Sequence, residues 1–472
     1  MKPLLRPCSQ GSRNPNWGCF DMKHITFVRP NLGEGKSTDA MTPLVFAILK
    51  ARTPDDIDTV MIDERVEPFV PLPTDLVAIT VETFTARRAW EIAAIYKARG
   101  VPVVVGGHHP SMVPEEALQH ADAVVIGDAE GVWEQVLADA GTGKLKQQYQ
   151  GGFGFDAEQP VSFDRSIFEG KKYAPVSLVQ IGRGCRFACD FCSIHAFYGK
   201  RREQRPICDI LDEIVGLPAD RIIFFVDDNL FWRRDRFVEL MHALAPLKHQ
   251  WSCQITIDVA RDDELLDLME QAGCALALIG FESLSKSNLK QMHKNWNGVA
   301  GEYHEVIDKL HDRGIMIYGT FVFGYDGDEP DAFIEAAEFA RTQGLAIANF
   351  NPLTPMPGTG LYQRLKDNDQ LLRPHWWLDP QFKYGDAIFL PKKLSPDQLR
   401  DGPMQARNIF YSWLSIFTRA GRGVFKWRRL RNVAMMVLAN IISRHEIHRK
   451  QERQLSVPQS GTGKARAEGN IA

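Results

Sequence analysis

From residue 24 onward the chain alternates short apolar runs with longer stretches whose apolar positions recur every three to four residues. Runs at 25–28, 59–62, 77–81, 103–105 and 123–126 predict strands, and 42–51, 86–98, 114–119 and 132–138 predict the helices between them. Strand and helix in alternation imply a parallel, doubly wound sheet, with ligands beyond the carboxyl ends of its strands. A stretch at 146–172 with Gly151, Gly152, Gly154 and Pro160 carries no period, and then the alternation resumes. Strands are predicted at 176–181, 222–226, 254–257, 275–279, 316–322 and 346–351, with helices at 207–215, 237–244, 263–272, 302–313 and 332–342. About six βα units in succession predict a full or partial parallel barrel, with its chemistry at the carboxyl ends of the strands. Beyond about residue 373 the pattern is helical. Helices are predicted at 395–416, with Ser395 as N-cap and Pro396 at the first helical position, and at 424–447.

At 472 residues the chain is long enough for two or three domains, and its 44% hydrophobic content supplies their cores. A net charge of -3 and a pI near 6.5 exclude a general nucleic-acid binder. Eight cysteines in so long a chain make no disulfide framework, which suits a reducing cytoplasm. No apolar run reaches the roughly 20 residues needed to span a bilayer.

Three of those cysteines, Cys185, Cys189 and Cys192, fall at spacings of four and three just after the run 176–181. A cube of four irons held by only three thiolates leaves one iron open to an exogenous ligand. His195 offers the alternative of a Cys3His zinc site. Cys208, Cys253 and Cys274 stand singly and read as structural thiols.

The pattern Cys-x-x-x-Cys-x-aromatic-Cys, with Phe191 in the aromatic place, resembles the signature of the radical S-adenosylmethionine (radical SAM) enzymes. The resemblance implies that the three cysteines hold a [4Fe-4S] cluster whose open iron chelates S-adenosylmethionine, which is cleaved to a 5′-deoxyadenosyl radical. It also implies SAM contacts at strand ends: Phe191, then Asp227 and Asp228 where the family has Gly-Gly-Glu, then Glu282 and Ser283, Gly324, and Asn351. An electron donor such as flavodoxin or ferredoxin comes with this chemistry.

The run Val105-Gly-Gly-His-His through Pro114-Glu-Glu to Ile126-Gly-Asp-Ala-Glu130 resembles the cobalamin-binding domain that precedes the barrel in one branch of these enzymes. Its contacts would be Thr80, Glu82, Thr83, Gly106, Gly107, His108, Gly127 and Glu130. The motif that supplies an axial histidine is replaced by Arg29-Pro30-Asn31-Leu32-Gly33-Glu34-Gly35, so cobalamin would sit without a histidine ligand. No cysteine lies between 22 and 172, unlike the transfer-RNA-modifying methylthiotransferases of the superfamily, which hold a second cluster there.

The expected fold class is therefore α/β: an N-terminal extension (1–22), a Rossmann-like cobalamin-binding domain (23–145), a linker (146–172), a radical SAM partial (β/α)6 barrel (173–372), a helical C-terminal domain (373–454) and a disordered tail (455–472). The expected activity is cobalamin-dependent methylation of an unactivated carbon in a small, hydrophobic molecule. One alternative is a radical cyclase or oxidase of a tetrapyrrole or lipid-like substrate, related to the anaerobic Mg-protoporphyrin ester cyclase; another is a non-enzymatic metal or ligand sensor. No nucleic-acid partner is expected. The last helix is basic and amphipathic, so an otherwise cytoplasmic protein is expected either to close this helix over the barrel or to rest it on the inner face of a membrane.

Overall fold

A computed structural model describes residues 22–33, 35–37, 39–155, 161–299, 303–427, 430–450 and 455. The extension at 1–21 and the tail from 456 lie outside the described residues.

Six parallel strands form the first sheet in the order Asp58–Asp63, His24–Arg29, Leu76–Thr80, Val103–Gly106, Ala123–Ile126, Gln148–Gln150. Its strands read as near-continuous apolar runs because both faces are covered. Helix Ala86–Lys97 and the Trp376, Trp377 pair cover one face, and helices Leu44–Ala51 and Trp133–Gly141 cover the other. The order reverses direction at His24–Arg29, which opens a crevice at the carboxyl ends. The sixth strand falls within the stretch expected to be a linker. Gln148 and Gln150 are exposed and only Tyr149 is buried, so it carries no apolar run to betray it.

The second sheet is also parallel and runs in chain order: Val176–Val179, Ile222–Phe225, Trp251–Ile255, Cys274–Glu282, Met316–Phe323, Ile347–Pro352. The first and last strands do not pair with each other, so the barrel is partial. Alternate side chains divide cleanly. Ala277, Ile279, Phe281, Ile317, Phe321, Ala348 and Phe350 are buried under the surrounding helices, with Phe281, Phe321 and Phe350 stacked 5.4 to 5.7 Å apart. The inward set, Phe224, Leu278, Tyr318, Thr320, Val322 and Asn349 among them, is only half-buried, so the interior is open. The third strand begins three residues before the expected 254–257, because Trp251 and Cys253 alternate with Ser252 and Gln254 instead of forming an apolar run.

The helix expected over 395–416 is two helices, Pro396–Phe410 and Trp413–Lys426. Ser395 caps the first through a capping box with Gln398, and Ser412 caps the second by accepting from Ser415 N–H. Tyr411, anchored by its hydroxyl to Ala348, fixes the break. Helix Leu430–Lys450 follows. Its Val433, Met436 and Val437 pack against Leu276 and Ile347, so this helix floors the barrel.

Candidate active site

After the first strand of the second sheet the chain turns through Gly182–Arg183, paired antiparallel with Glu203–Gln204, to reach Cys185. Two aspartates beyond the neighbouring strand hold this turn. Asp227 accepts N–H bonds from Ile181 at 3.2 Å and from Gly182, and Asp228 accepts from Gly184 at 2.9 Å. Gly184 has φ +82°, and a Cβ there would lie 2.2 Å from the Arg201 carbonyl oxygen, so only glycine fits. On the far side Asp190 accepts from the Tyr325 hydroxyl at 2.7 Å and pairs with Arg364 at 2.5 Å.

Between these ties sit three free thiols, Cys189 buried and Cys185 and Cys192 half-buried. Burial pushes the Cys189 thiol up to about 12, against the pull of the Lys294 ammonium, and the charges of Cys192 and Cys185 push the same way. Burial also raises Cys192, opposed by the N–H groups of His195 and Ile194. Thiols held neutral by their surroundings need a bound cation to become thiolates. His195, on helix Ser193–Tyr198, has a buried Nδ1 without a partner among the described residues. Three sulfurs and no fourth ligand fit a polynuclear cluster, whose thiolates sit on separate irons.

The strand ends around this turn carry the other expected residues. Asp227 gives both oxygens to the turn, and burial pushes it up to about 7. Asp228 is raised to about 6, again by burial. Glu282 ends the fourth strand with φ +62° at a register shift, and its carboxylate pairs with Lys294 at 2.8 Å and accepts from Thr320 at 3.3 Å. Ser283, Asn288 and Asp328 form a chain that reaches Gly324. Asn288 donates to Ser283 and Asp328, and Asp328 accepts from Gly324 and Tyr325 N–H at 2.7 and 3.1 Å. Phe191 lies edge-on to Tyr325 at 6.4 Å. Asn351 accepts from Arg407 at 2.8 Å. Lys294, Asn288, Tyr325 and Arg407 had no motif to announce them.

At the carboxyl ends of the first sheet lies a cavity of about 380 Å³, walled on its far side by the second sheet. Thr80, Glu82, Gly106, Gly107, His108, Gly127 and Glu130 line it, with Phe46, Leu49, Val104 and Trp133 at its apolar end. Thr83 is not part of the lining; it is buried with its hydroxyl 3.3 Å from His109 Nδ1. Gly107 and Gly127 take φ of +108° and +85°, and a Cβ on either would run into the Val81 or Gly152 carbonyl oxygen. His108 stacks on Phe197 at 4.4 Å, and burial lowers its pKa, with the Glu82 carboxylate acting against. An apolar slot with a glycine rim and a polar lip fits a flat ring of nucleotide size, a part of cobalamin. Arg183, from the cysteine turn, joins this wall. It pairs with Asp128 at 3.1 Å and with Glu130, nearly out of solvent, and so locks the turn to the first sheet.

The family model described as the Radical SAM superfamily matches residues 179–340. The chain is 32% identical over 382 residues to bacteriochlorophyllide d C-12(1)-methyltransferase of Chlorobaculum tepidum, spanning 78% of this chain and 82% of that protein. It is 25% identical over 455 residues to the anaerobic magnesium-protoporphyrin IX monomethyl ester cyclase of Cereibacter sphaeroides, spanning 86% of this chain and 73% of that one. Among solved structures it superposes on the radical S-adenosylmethionine methyltransferase TsrM of Kitasatospora setae, determined with cobalamin and a [4Fe-4S] cluster bound. The TM-score is 0.58 at 15% identity, over 81% of this chain and 85% of that one, a likeness of fold.

Proposed function

The chain belongs to the radical SAM superfamily and is an enzyme of [4Fe-4S] cluster and S-adenosylmethionine chemistry; on that premise we propose that it methylates an unactivated carbon of a tetrapyrrole, with cobalamin as second cofactor. The observation that carries this reading is the cavity between the sheets, joined to the cysteine turn by Arg183 through Asp128 and Glu130. Two cofactors that act on one carbon have to be held in fixed relation, and a desolvated ion cluster across the joint does that. When bound, the cluster supplies the electron that splits S-adenosylmethionine and cobalamin supplies the methyl group.

In this reading Cys185, Cys189 and Cys192 hold the cluster, and Asp227 and Asp228 fix the turn that presents them. Lys294 neutralises Glu282 at the cofactor end of the fourth strand, and Ser283 and Gly324 meet the rest of the nucleoside. The half-buried Phe224, Leu278 and Val322 give the barrel an apolar inner wall that sheds water from the reacting carbon. The tetrapyrrole substrates named for the two relatives suit such a wall. The cyclase relative supports a second reading, ring closure without methyl transfer, which product mass separates from the first.

Electrons come, in this proposal, from a flavodoxin or ferredoxin. Helix Trp413–Lys426 rests on an anionic membrane surface. Trp413, Leu414, Phe417, Val424 and Phe425 form an exposed apolar stripe, and residues 413–445 contain seven Lys or Arg and no Asp or Glu. Among the described residues no helix is long and apolar enough to cross the membrane. The test is anaerobic reconstitution with iron and sulfide, then incubation with reductant, cobalamin, S-adenosylmethionine and bacteriochlorophyllide d. Formation of 5′-deoxyadenosine with a product heavier by one methylene supports the reading; 5′-deoxyadenosine with no methylene gain refutes methyl transfer.

A further inference from the structure

Resting on the substrate reading above, we infer that Arg407 anchors a carboxylate of the substrate, so that the molecule methylated is an apolar acid and not a neutral lipid. Arg407 stands in the last turn of helix Pro396–Phe410, which packs along the last strand of the open barrel. Its Nη2 reaches Asn351, a member of the inward-facing set with Asn349, which in turn donates to the Tyr318 hydroxyl at 2.5 Å.

What distinguishes this guanidinium is the company it lacks. The other deeply placed arginines each meet a carboxylate or several carbonyls. Arg183 has Asp128 and Glu130, Arg205 has Glu213, and Arg88 has Glu64. Arg419 has no carboxylate but gives its N–H groups to the Leu345, Ala346 and Phe410 carbonyls, the Asn440 amide and the Ser415 hydroxyl. Among the described residues Arg407 meets the Asn351 amide oxygen at 2.8 Å and no carboxylate. Burial pulls its pKa down, and the neighbouring phenols of Tyr384, Tyr411 and Tyr318 act against that only weakly because they are neutral near pH 7.

Arg407 is half-buried, and a guanidinium at the barrel wall without a carboxylate beside it is a ready seat for a ligand that brings the counter-charge. The planar fork of a guanidinium matches a carboxylate with two parallel hydrogen bonds, which a neutral ester or alcohol cannot give. Val322, half-buried, pairs in register with Asn351 on the neighbouring strand, so the group that carries this carboxylate is apolar.

The test compares bacteriochlorophyllide d with its carboxyl methyl ester, each titrated against the reconstituted full chain by tryptophan fluorescence quenching, with S-adenosylmethionine affinity measured in parallel. The expected result is that the acid binds roughly ten- to a hundredfold tighter than the ester, from the value of a charge-assisted hydrogen bond in a desolvated site. Arg407→Gln brings the ratio near one while the ester still binds, and Arg407→Lys restores part of it. The wild-type ratio needs no variant, so misfolding of one cannot shelter the inference. Equal binding of acid and ester overturns it, as does a ratio that survives Arg407→Gln. Loss of S-adenosylmethionine affinity with the ratio intact assigns Arg407 to the cofactor and overturns it too. If neither chlorin binds, the inference falls, while formation of 5′-deoxyadenosine still tests the radical chemistry by itself.

Discussion

Replacing Asp227 by Asn separates two roles for a residue that the sequence pattern assigns to cofactor recognition. Its carboxylate accepts N–H bonds from Ile181 and Gly182, at the root of the cysteine turn. An amide keeps one acceptor and points its NH2 group at the other N–H. One buried donor is then left unsatisfied, at a cost of about 1–3 kcal/mol, with donor facing donor at the upper end. At 1.4 kcal/mol per tenfold, the upper figure shifts the closed turn toward open by roughly a hundredfold. The assay is iron and sulfide content after anaerobic reconstitution and gel filtration, alongside S-adenosylmethionine affinity. The expectation is that Asp227→Asn loses the cluster first, and affinity only in proportion. A full complement of iron and sulfide with affinity collapsed refutes the clamp.

Arg183→Gln leaves Asp128 and Glu130 facing each other in a nearly closed site and costs about 3 kcal/mol of stability. Corrinoid retention on gel filtration falls with it. Burial already raises Asp128, so the defect shrinks as the pH is lowered and its carboxylate takes a proton; a defect independent of pH contradicts this. Among the described residues neither ring nitrogen of the buried His311 has a partner, and burial lowers its pKa from 6.5 to about 4. A folded-state pKa below the unfolded one gives stability that is whole above pH 6.5 and lost as the pH falls to 4, of the order of 3 kcal/mol. Denaturant midpoints at pH 7 and 4.5 converge in His311→Leu; an unchanged gap excludes this histidine as the cause. Phe417→Glu with Phe425→Glu abolishes sedimentation with phosphatidylglycerol vesicles, and equal sedimentation of variant and parent removes the stripe from membrane contact.

The alternation of apolar runs and amphipathic stretches was enough to read two parallel sheets, because each strand is buried by helices on at least one face. Polar Gln148–Gln150 gave no such signal. The break between the first two C-terminal helices was hidden as well, since Ile409, Phe410, Tyr411, Trp413 and Leu414 run through it without Gly or Pro, while Ser412 caps the second helix by accepting from Ser415 N–H. The cysteine spacing was legible because the turn is local. The roles of Asp227 and Asp228 were not: they depend on N–H groups some 45 residues away, directed by a turn that no motif describes. Of the strand-end residues tied to the cavity, Thr83 was misread because a short helical turn rotates its hydroxyl toward His109 and away from the space. Arg407 and Lys294 act from outside the strand ends, on a helix and a short turn where a cation ordinarily reads as solvated surface.

The central claim is that two cofactors, one on each sheet, converge on a single carbon. Incubation of the doubly reconstituted chain with S-adenosylmethionine deuterated in its methyl group, reductant and bacteriochlorophyllide d tests it directly. The account predicts a product that retains all three deuterons, formed together with 5′-deoxyadenosine and only when cobalamin is present. Product formed at the same rate without cobalamin, or 5′-deoxyadenosine with no deuterium in the product, contradicts it.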